Sequence, residues 1–325
     1  MQAVVQHRYG GSEQLSLAEV ADPAAGPGEV LVEVRAAGVD RGTWHLMTGL
    51  PLVMRLGFGF RGPKVPVPGR DVSGVVVAVG PDVTSYAAGE EVIGTADGSF
   101  AELAVVPVKR LARKPSSVTH EEAAVLPVSG LTALQAIRKA GVSAGQQVLV
   151  IGASGGVGSY AVQLAVAAGA TVTGVAGGAK ADLVRDLGAE RVLDHTRQEI
   201  EQDGRYDVII DIAGRRPLPL LRRALAPEGT LVVVGGEGGD RWLGGFQRQL
   251  ALPLRSVFTR QRLLGLLSKE SSADLAELAR LVDAGDVRPT LDRTFTLDEA
   301  AKAVDHVADG HARGKVAVVP TTQES

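Results

Sequence analysis

Cysteine is absent from this chain of 325 residues. That excludes disulfides, thiol catalysis, iron–sulfur clusters and any zinc site built on thiolates. A surplus of charge is also missing. The net charge is −3, and the arginines are scattered, with Arg215-Arg216 and Arg222-Arg223 as short, solvated pairs. There is no electrostatic case for a nucleic-acid partner. No apolar run reaches membrane-spanning length, and the opening MQAVVQHRYGGSEQ has no signal-peptide core. The expectation is a cytoplasmic protein with no membrane association. The histidines (His7, His45, His120, His195, His306 and His311) show no pairing at metal-ligand spacing. There is no internal repeat, and no low-complexity tail beyond TTQES.

What is plentiful is glycine, with 41 residues. The informative ones lie in QVLVIGASGGVGSYAVQLAVAAGATVTGVAGGAKADLV, Gln147 to Val184. An apolar run, Val148–Ile151, meets Gly152-x-x-Gly155-x-x-Gly158. A small-residue helix pattern follows, with Ala161, Ala165 and Ala168 at helical spacing. A second β-branched run, Thr171–Val175, completes the order strand, tight turn, helix, strand. Backbone N–H groups of Ser154, Gly155, Gly156, Val157 and Gly158 would then face a pyrophosphate at a helix N-terminus. Glycine is needed because a side chain would block close approach. An ordinary glycine-rich βα turn is the competing reading.

The first ~120 residues read as all-β. VVQHRYG, QLSLAEV, GEVLVEVRAAGV, GVVVAVG, EEVIGTA and SFAELAVV are short runs separated by Gly, Pro and Asp. Thr48 to Pro66 has no clear period and is either a self-packed loop or a flap over an apolar substrate, with Leu50, Leu52, Met54, Leu56, Phe58 and Phe60 on it. From Thr119, an N-cap followed by acidic residues, the texture becomes helical. Strands are expected at 147–151, 170–175, 190–194, 206–211 and 229–234, with RSVFT (255–259) as a sixth and helices between. Such alternation predicts a parallel sheet covered on both faces. Ser272–Ala284 predicts an amphipathic helix, and KVAVVP a last strand returning to the N-terminal β domain. The fold class is therefore α/β, a β-rich domain (1–120 and 261–325) with a doubly wound Rossmann domain (121–260).

VRAAGVDRGTWHLMTG, VPGRDVSGVVVAVG, AAVLPVSGLTALQAI, VLVIGASGGVGSYAVQLA, LVRDLGAERVLDH and GHARGKVAVV together resemble the medium-chain dehydrogenase/reductase superfamily over nearly the whole chain. Within it the chain looks most like the zinc-free quinone oxidoreductase branch and its enone and alkenal reductase relatives. The resemblance implies a GroES-like catalytic domain, NAD(P)H-dependent hydride transfer and, commonly, a homodimer. Zinc alcohol dehydrogenases of the superfamily place a Cys where this chain has Asp40 and a His-Glu pair where it has Arg70-Asp71. No metal is expected. Without a Lewis acid, a conjugated acceptor is the better fit than an alcohol or ketone.

NAD-preferring relatives carry an acid at the end of the second strand, about 20 residues past the glycines. Here that strand ends Ala176-Gly177-Gly178-Ala179-Lys180, with no carboxylate until Asp182. Lys180 and the bare amides of Gly177 and Gly178 suit a 2′-phosphate, so NADPH is expected over NADH. By resemblance His195 also touches that phosphate, Ser129 and Thr132 lie near the nicotinamide, and Lys315 lies near the cofactor. Each has a plainer reading, as a loop, capping or strand-start residue. Strand ends place Ile212, Ala213, Gly214, Val234, Gly235 and Gly236 at the cofactor. In the loop Asp40–His45, Asp40 is a substrate contact or the cap of the next turn, and His45 a proton donor near neutral pH or a surface residue. Relatives mostly show Asn at the position of Asp40 and often Asp at that of Thr43. Two functions follow: a zinc-independent NADPH-dependent reductase of apolar quinones or activated alkenes, and a catalytically silent NADPH-binding protein with a sensing or partner-binding role.

Overall fold

The structure, a computed structural model, describes residues 1–321 except 201–204, 236–239, 246, 250–251, 253–255, 257–258 and 311. The chain divides into two units, Met1–Leu131 with Glu270–Ser325, and Thr132–Lys269.

In the first unit β1 (Gln2–Val5) and β2 (Ser16–Glu19) pair antiparallel. Then come β3 (Glu29–Val39), α1 (Arg41–Thr48), α2 (Arg55–Phe58), β4 (Asp71–Val79), β5 (Glu91–Thr95), β6 (Leu103–Pro107), β7 (Leu111–Arg113) and α3 (His120–Ala124). α4 (Pro127–Ala140) follows, and the division between units falls within it. The long central strand β3 alternates buried and half-buried positions from Val30 to Val34, then is wholly buried from Ala36 to Val39. Its first half has one face on the core, as period-2 patterning requires. Thr119 caps α3 through a full capping box with Glu122, as its position in the sequence leads one to expect.

The second unit contains β8 (Gln147–Ile151), α5 (Gly156–Ala167), β9 (Thr171–Ala176), α6 (Ala181–Asp186), β10 (Arg191–Asp194), β11 (Tyr206–Asp211), α7 (Leu218–Ala224), β12 (Leu225–Val233) and β13 (Arg262–Gly265). They form a six-stranded parallel sheet in the order β10-β9-β8-β11-β12-β13. Val148, Leu149 and Val150 are all fully buried, the mark of a strand covered on both faces. α5 is buried from Gly158 to Leu164 and on to Ala165, which explains why it reads as apolar on all sides.

The chain then returns to the first unit with α8 (Ser272–Asp283), β14 (Leu291–Thr296), α9 (Ala300–Ala308) and β15 (Lys315–Val319). β15 lies between β14 and β3 in a seven-stranded sheet ordered β14-β15-β3-β4-β5-β7, with β6 also on β3. The last strand thus does return to the β-rich unit.

Three expectations about elements are corrected. The sixth strand of the parallel sheet is Arg262–Gly265, not 255–259. Ser256 is helical, while Arg255, Val257 and Phe258 lie outside the described residues. Burying Leu263 in register with Leu231 outweighs the β-branched composition of RSVFT. The fifth strand starts earlier than 229. Tyr206 already pairs with Leu225, and a register shift before Val208 absorbs Pro227–Gly229. The segment after α1 is less irregular than its sequence, since it contains a short helix, α2. Arg55 pins it, with Nε donating to the Gly49 carbonyl at 3.0 Å and the guanidinium 4.4 Å from the Tyr9 ring centre. Tyr9 in turn donates its hydroxyl to the Gly59 carbonyl at 2.7 Å.

Candidate active site

In the second unit the order of strands places β8 and β11 at the topological switch point, where α/β sheets bind ligands at the carboxyl ends. The turn leaving β8 is shaped for close backbone approach. Gly152 has φ +88°, a left-handed conformation that glycine adopts without strain. Any Cβ on Gly158 would overlap the Gly152 carbonyl oxygen, so glycine is what lets α5 start this close to the strand. Gly155 caps α5 and supplies no side-chain hydrogen bond. The first N–H groups of a helix have no partner within it. Those of Gly156, Val157 and Gly158 therefore form a cradle for an anion beside Ser154, which is 8% exposed. Across the switch point the Ile212 N–H donates to the Ile151 carbonyl at 3.1 Å, and Ala213 lies against Gly152. Val234 and Gly235 follow β12, and Gly235 lies so close to Ile212 that a Cβ would overlap its carbonyl oxygen. Gly236 lies outside the described residues.

At the end of β9, Gly177 and Gly178 lie beside the end of β10, because Ala176 pairs with Asp194. His195 is there too, its Nε2 3.7 Å from where a Cβ of Gly177 would be. So is a carboxylate that sequence reasoning missed. Asp194 Oδ2 would stand 2.6 Å from a Cβ of Gly178. Hydrogen bonds from the backbone and hydroxyl of Thr196 hold the Asp194 carboxyl below its ordinary range, so it is an anion. Lys180, half-buried, ends the turn of helix after Gly177.

Asp211, at the end of β11, is also new. It is fully buried, and Arg248 donates to it at 2.9 Å and to the Gly214 carbonyl at 2.6 Å. Its other oxygen accepts from the Gly214 N–H at 3.0 Å. Burial raises its pKa, with Arg248 opposing. An aspartate closing the apolar run YDVIID was the available signal, since a buried charge needs a partner. A cavity of about 520 Å³ in this unit lies among Gln146, Asp207, Glu228 and Arg262. These residues stand at the amino ends of the strands, opposite the glycine turn.

In the first unit Asp40 caps α1, with Oδ1 accepting from the Thr43 N–H at 2.7 Å, and Gly49 ends the helix in the left-handed region. His45 Nδ1 lies 2.9 Å from the Leu50 carbonyl. A carbonyl only accepts, so Nδ1 carries the hydrogen and Nε2 is the basic nitrogen. Of the apolar residues after α1, Leu50, Leu52 and Met54 are half-buried, Phe58 is 43% exposed, and Leu56 and Phe60 are each 77% exposed.

Asp40 does not stand alone. Lys315 Nζ lies 3.8 Å from Asp40 Oδ2 and 2.9 Å from Asp71 Oδ2, all three residues being buried. Asp71 Oδ1 accepts from the Val128 N–H at 2.7 Å, at the start of α4. Burial pushes the Asp71 carboxyl up to about 6, Lys315 opposing and Asp40 adding to the shift. Ser129, on the same turn of α4, is 2% exposed; Thr132 is half-buried. Arg70 faces elsewhere and pairs with Glu270, which also holds Arg110 at 2.6 Å.

The presence in one chain of a parallel sheet with a glycine cradle at its switch point and of a β-rich unit closed by the C-terminal strand defines a dinucleotide-dependent oxidoreductase of the GroES-like type. Known proteins agree. Residues 26–116 match the family model described as an alcohol dehydrogenase GroES-like domain, and 187–318 the one described as a zinc-binding dehydrogenase. The chain is 35% identical to the mitochondrial NAD(P)H oxidoreductase RTN4IP1 of Mus musculus, over 90% of this chain and 82% of that one. It is 31% identical to the chloroplastic quinone-oxidoreductase QR1 of Triphysaria versicolor, over 98% of both. The structure of a quinone oxidoreductase from Coxiella burnetii superposes with a TM-score of 0.86 at 27% identity, covering 98% of this chain and 99% of that one. The chain belongs to the medium-chain dehydrogenase/reductase superfamily, in its quinone oxidoreductase branch, and is an NAD(P)H-dependent oxidoreductase.

The zinc in one family description can be tested against the residues. The positions that hold metal ligands in zinc relatives carry Asp40, Arg70 and Asp71, and the ammonium of Lys315 stands against both carboxylates. A metal ion would have to displace a buried cation. Among the described residues no group of three His, Cys, Asp or Glu is placed to hold a metal. The donor set does not fit zinc.

Proposed function

We propose that the protein is a zinc-independent reductase using NADPH to reduce a quinone or the activated C=C bond of an enone or alkenal. The observation that carries this reading is the Lys315 ammonium between Asp40 and Asp71, where a catalytic metal would need two free carboxylates. Without a Lewis acid, acceptors that spread charge onto a distant oxygen are favoured. Relatives named as quinone oxidoreductases point to the same class.

The nicotinamide, when bound, supplies the hydride. The N-terminus of α5 would hold the pyrophosphate, with Ser154 to Gly158 around it. Gly177, Gly178, Lys180 and His195 would surround the ribose phosphate. His45 would hold or release a proton at Nε2, its other nitrogen being committed to Leu50. Asp40 orients the start of the helix that carries His45. Apolar acceptors suit the exposed Leu56 and Phe60 on the adjoining segment.

One observation favours a second reading of the cofactor. The Asp194 anion beside Gly178 suits a ribose 2′-hydroxyl and opposes a 2′-phosphate, so NADH is the alternative.

The test is a panel of quinones, enals and enones with NADPH and NADH in turn, repeated with Lys180→Glu. The expected result is turnover on at least one class, with kcat/KM higher for NADPH and the preference reversed in the variant. A wild-type preference for NADH would overturn the NADPH assignment. Tight NADPH binding with no turnover would make the protein a silent binder. We also propose a homodimer, read by size exclusion with light scattering, and a cytoplasmic location, read by cell fractionation. Among the described residues no helix is long and apolar enough to cross a membrane.

A further inference from the structure

Three side chains far apart in sequence meet because of sheet register. Gly38 of β3 pairs with Asp71 of β4, and Val39 of β3 pairs with Val316 of β15. The ends of three neighbouring strands therefore bring Asp40, Asp71 and Lys315 together. The space is made for them, since a Cβ on Gly38 would lie 2.8 Å from Asp71 Oδ2. Exposure is 6% for Asp40, 0% for Asp71 and 2% for Lys315.

The two carboxylates are used in parallel ways. Each spends one oxygen on the start of a helix: Asp40 Oδ1 on the Thr43 N–H of α1, Asp71 Oδ1 on the Val128 N–H of α4. Each turns the other oxygen to the same ammonium. Asp40 Oδ2 has no hydrogen-bond partner, and Lys315 at 3.8 Å is the cation it faces. Two buried anions this close are tenable only around a cation.

We infer that Lys315 is a positioning residue, an internal cation that clamps the starts of α1 and α4 through Asp40 and Asp71. It acts on His45 of α1 and Ser129 of α4 without touching the acceptor. This rests on the proposed zinc-independent reduction only for its consequence in turnover. The clamp itself is a property of the fold.

Three quantities test it: Tm, the Kd for NADPH by nucleotide fluorescence, and kcat on whichever acceptor of the panel is turned over. Lys315→Met should lower Tm by on the order of 10 °C, because it leaves two buried carboxylates uncompensated. The same substitution in an Asp40→Asn background should cost clearly less, as one anion has gone. Lys315→Arg, which keeps the charge, should lie between wild type and Lys315→Met. The NADPH Kd should move by no more than about twofold while kcat falls by about tenfold or more, roughly the 1.4 kcal/mol that a tenfold change represents.

A residue that contacts the dinucleotide would do the opposite, raising Kd with kcat little changed, and that result would overturn the assignment. So would an equal Tm loss with and without the Asp40 charge. If Lys315→Met does not fold, the double variant decides: folding there supports the clamp, and failure there sinks it. Tm and Kd need no acceptor, so an inactive wild type would refute the proposed reaction and leave this test intact.

Discussion

Asp194 ends β10 beside Gly178, where the proposed cofactor site would place the ribose, and it is an anion there. Replacing it with Ser should raise the ratio of kcat/KM for NADPH over NADH by about tenfold, the scale of one charge-assisted contact. Steady-state kinetics with both cofactors checks this, and an unchanged ratio would remove Asp194 from the cofactor argument. Asp71 supplies a second prediction. Its carboxyl titrates at about 6 in the folded protein, whereas an unfolded Asp titrates near about 3.9. The folded state holds that proton more tightly. Its contribution to stability is complete below about pH 4 and is lost as pH rises to about 6. The difference in Tm between wild type and Asp71→Asn should therefore change across that window and level off above it, which thermal melts from pH 4 to 8 would show. At this scale the sequence was partly legible. The absence of an acid at the end of β9 is plain in the sequence, but Asp194 of the neighbouring strand stands beside that end, through a pairing that no linear spacing reveals.

Elements carry their own predictions. The segment containing Arg248 is tied to the end of β11 by two hydrogen bonds, to Asp211 and to the Gly214 carbonyl. Arg248→Met should cost about 3–5 kcal/mol, since it strands a buried carboxylate. Urea unfolding would measure it, and a loss below about 1 kcal/mol would mean that Asp211 is neutral without its partner. Most elements were legible because their signals are local. Thr119 and Glu122 make a capping box within four residues, and β8 announces itself as a run that is apolar on both faces. The misplaced sixth strand shows the limit. RSVFT has the better composition, but RLLG has the register that buries Leu263. The helix α2 was invisible for a similar reason, since Tyr9, distant in sequence, holds both its ends through Arg55 and Gly59.

For the whole molecule, the proposed zinc-independent reading, which rests on the ammonium against Asp40 and Asp71, predicts indifference to metal. Dialysis against EDTA should leave kcat/KM within about twofold, and saturating NADPH should raise Tm as any ligand of the native state does. Loss of activity on chelation, restored by zinc, would overturn the zinc-independent reading.

The sequence alone determined the parallel sheet, its glycine cradle, the β-rich unit and the family resemblance. Those properties are written in short-range patterns: apolar runs, glycine spacing and caps, each read within a turn or a strand. The tertiary structure decided which charges meet. Asp40, Asp71 and Lys315 are joined by the register of β15, β3 and β4 across 244 positions between Asp71 and Lys315. Asp194 reaches Gly178 through the pairing of β9 with β10. Burial then turns such a meeting into chemistry, because a charge far from water is tenable only beside its counter-charge.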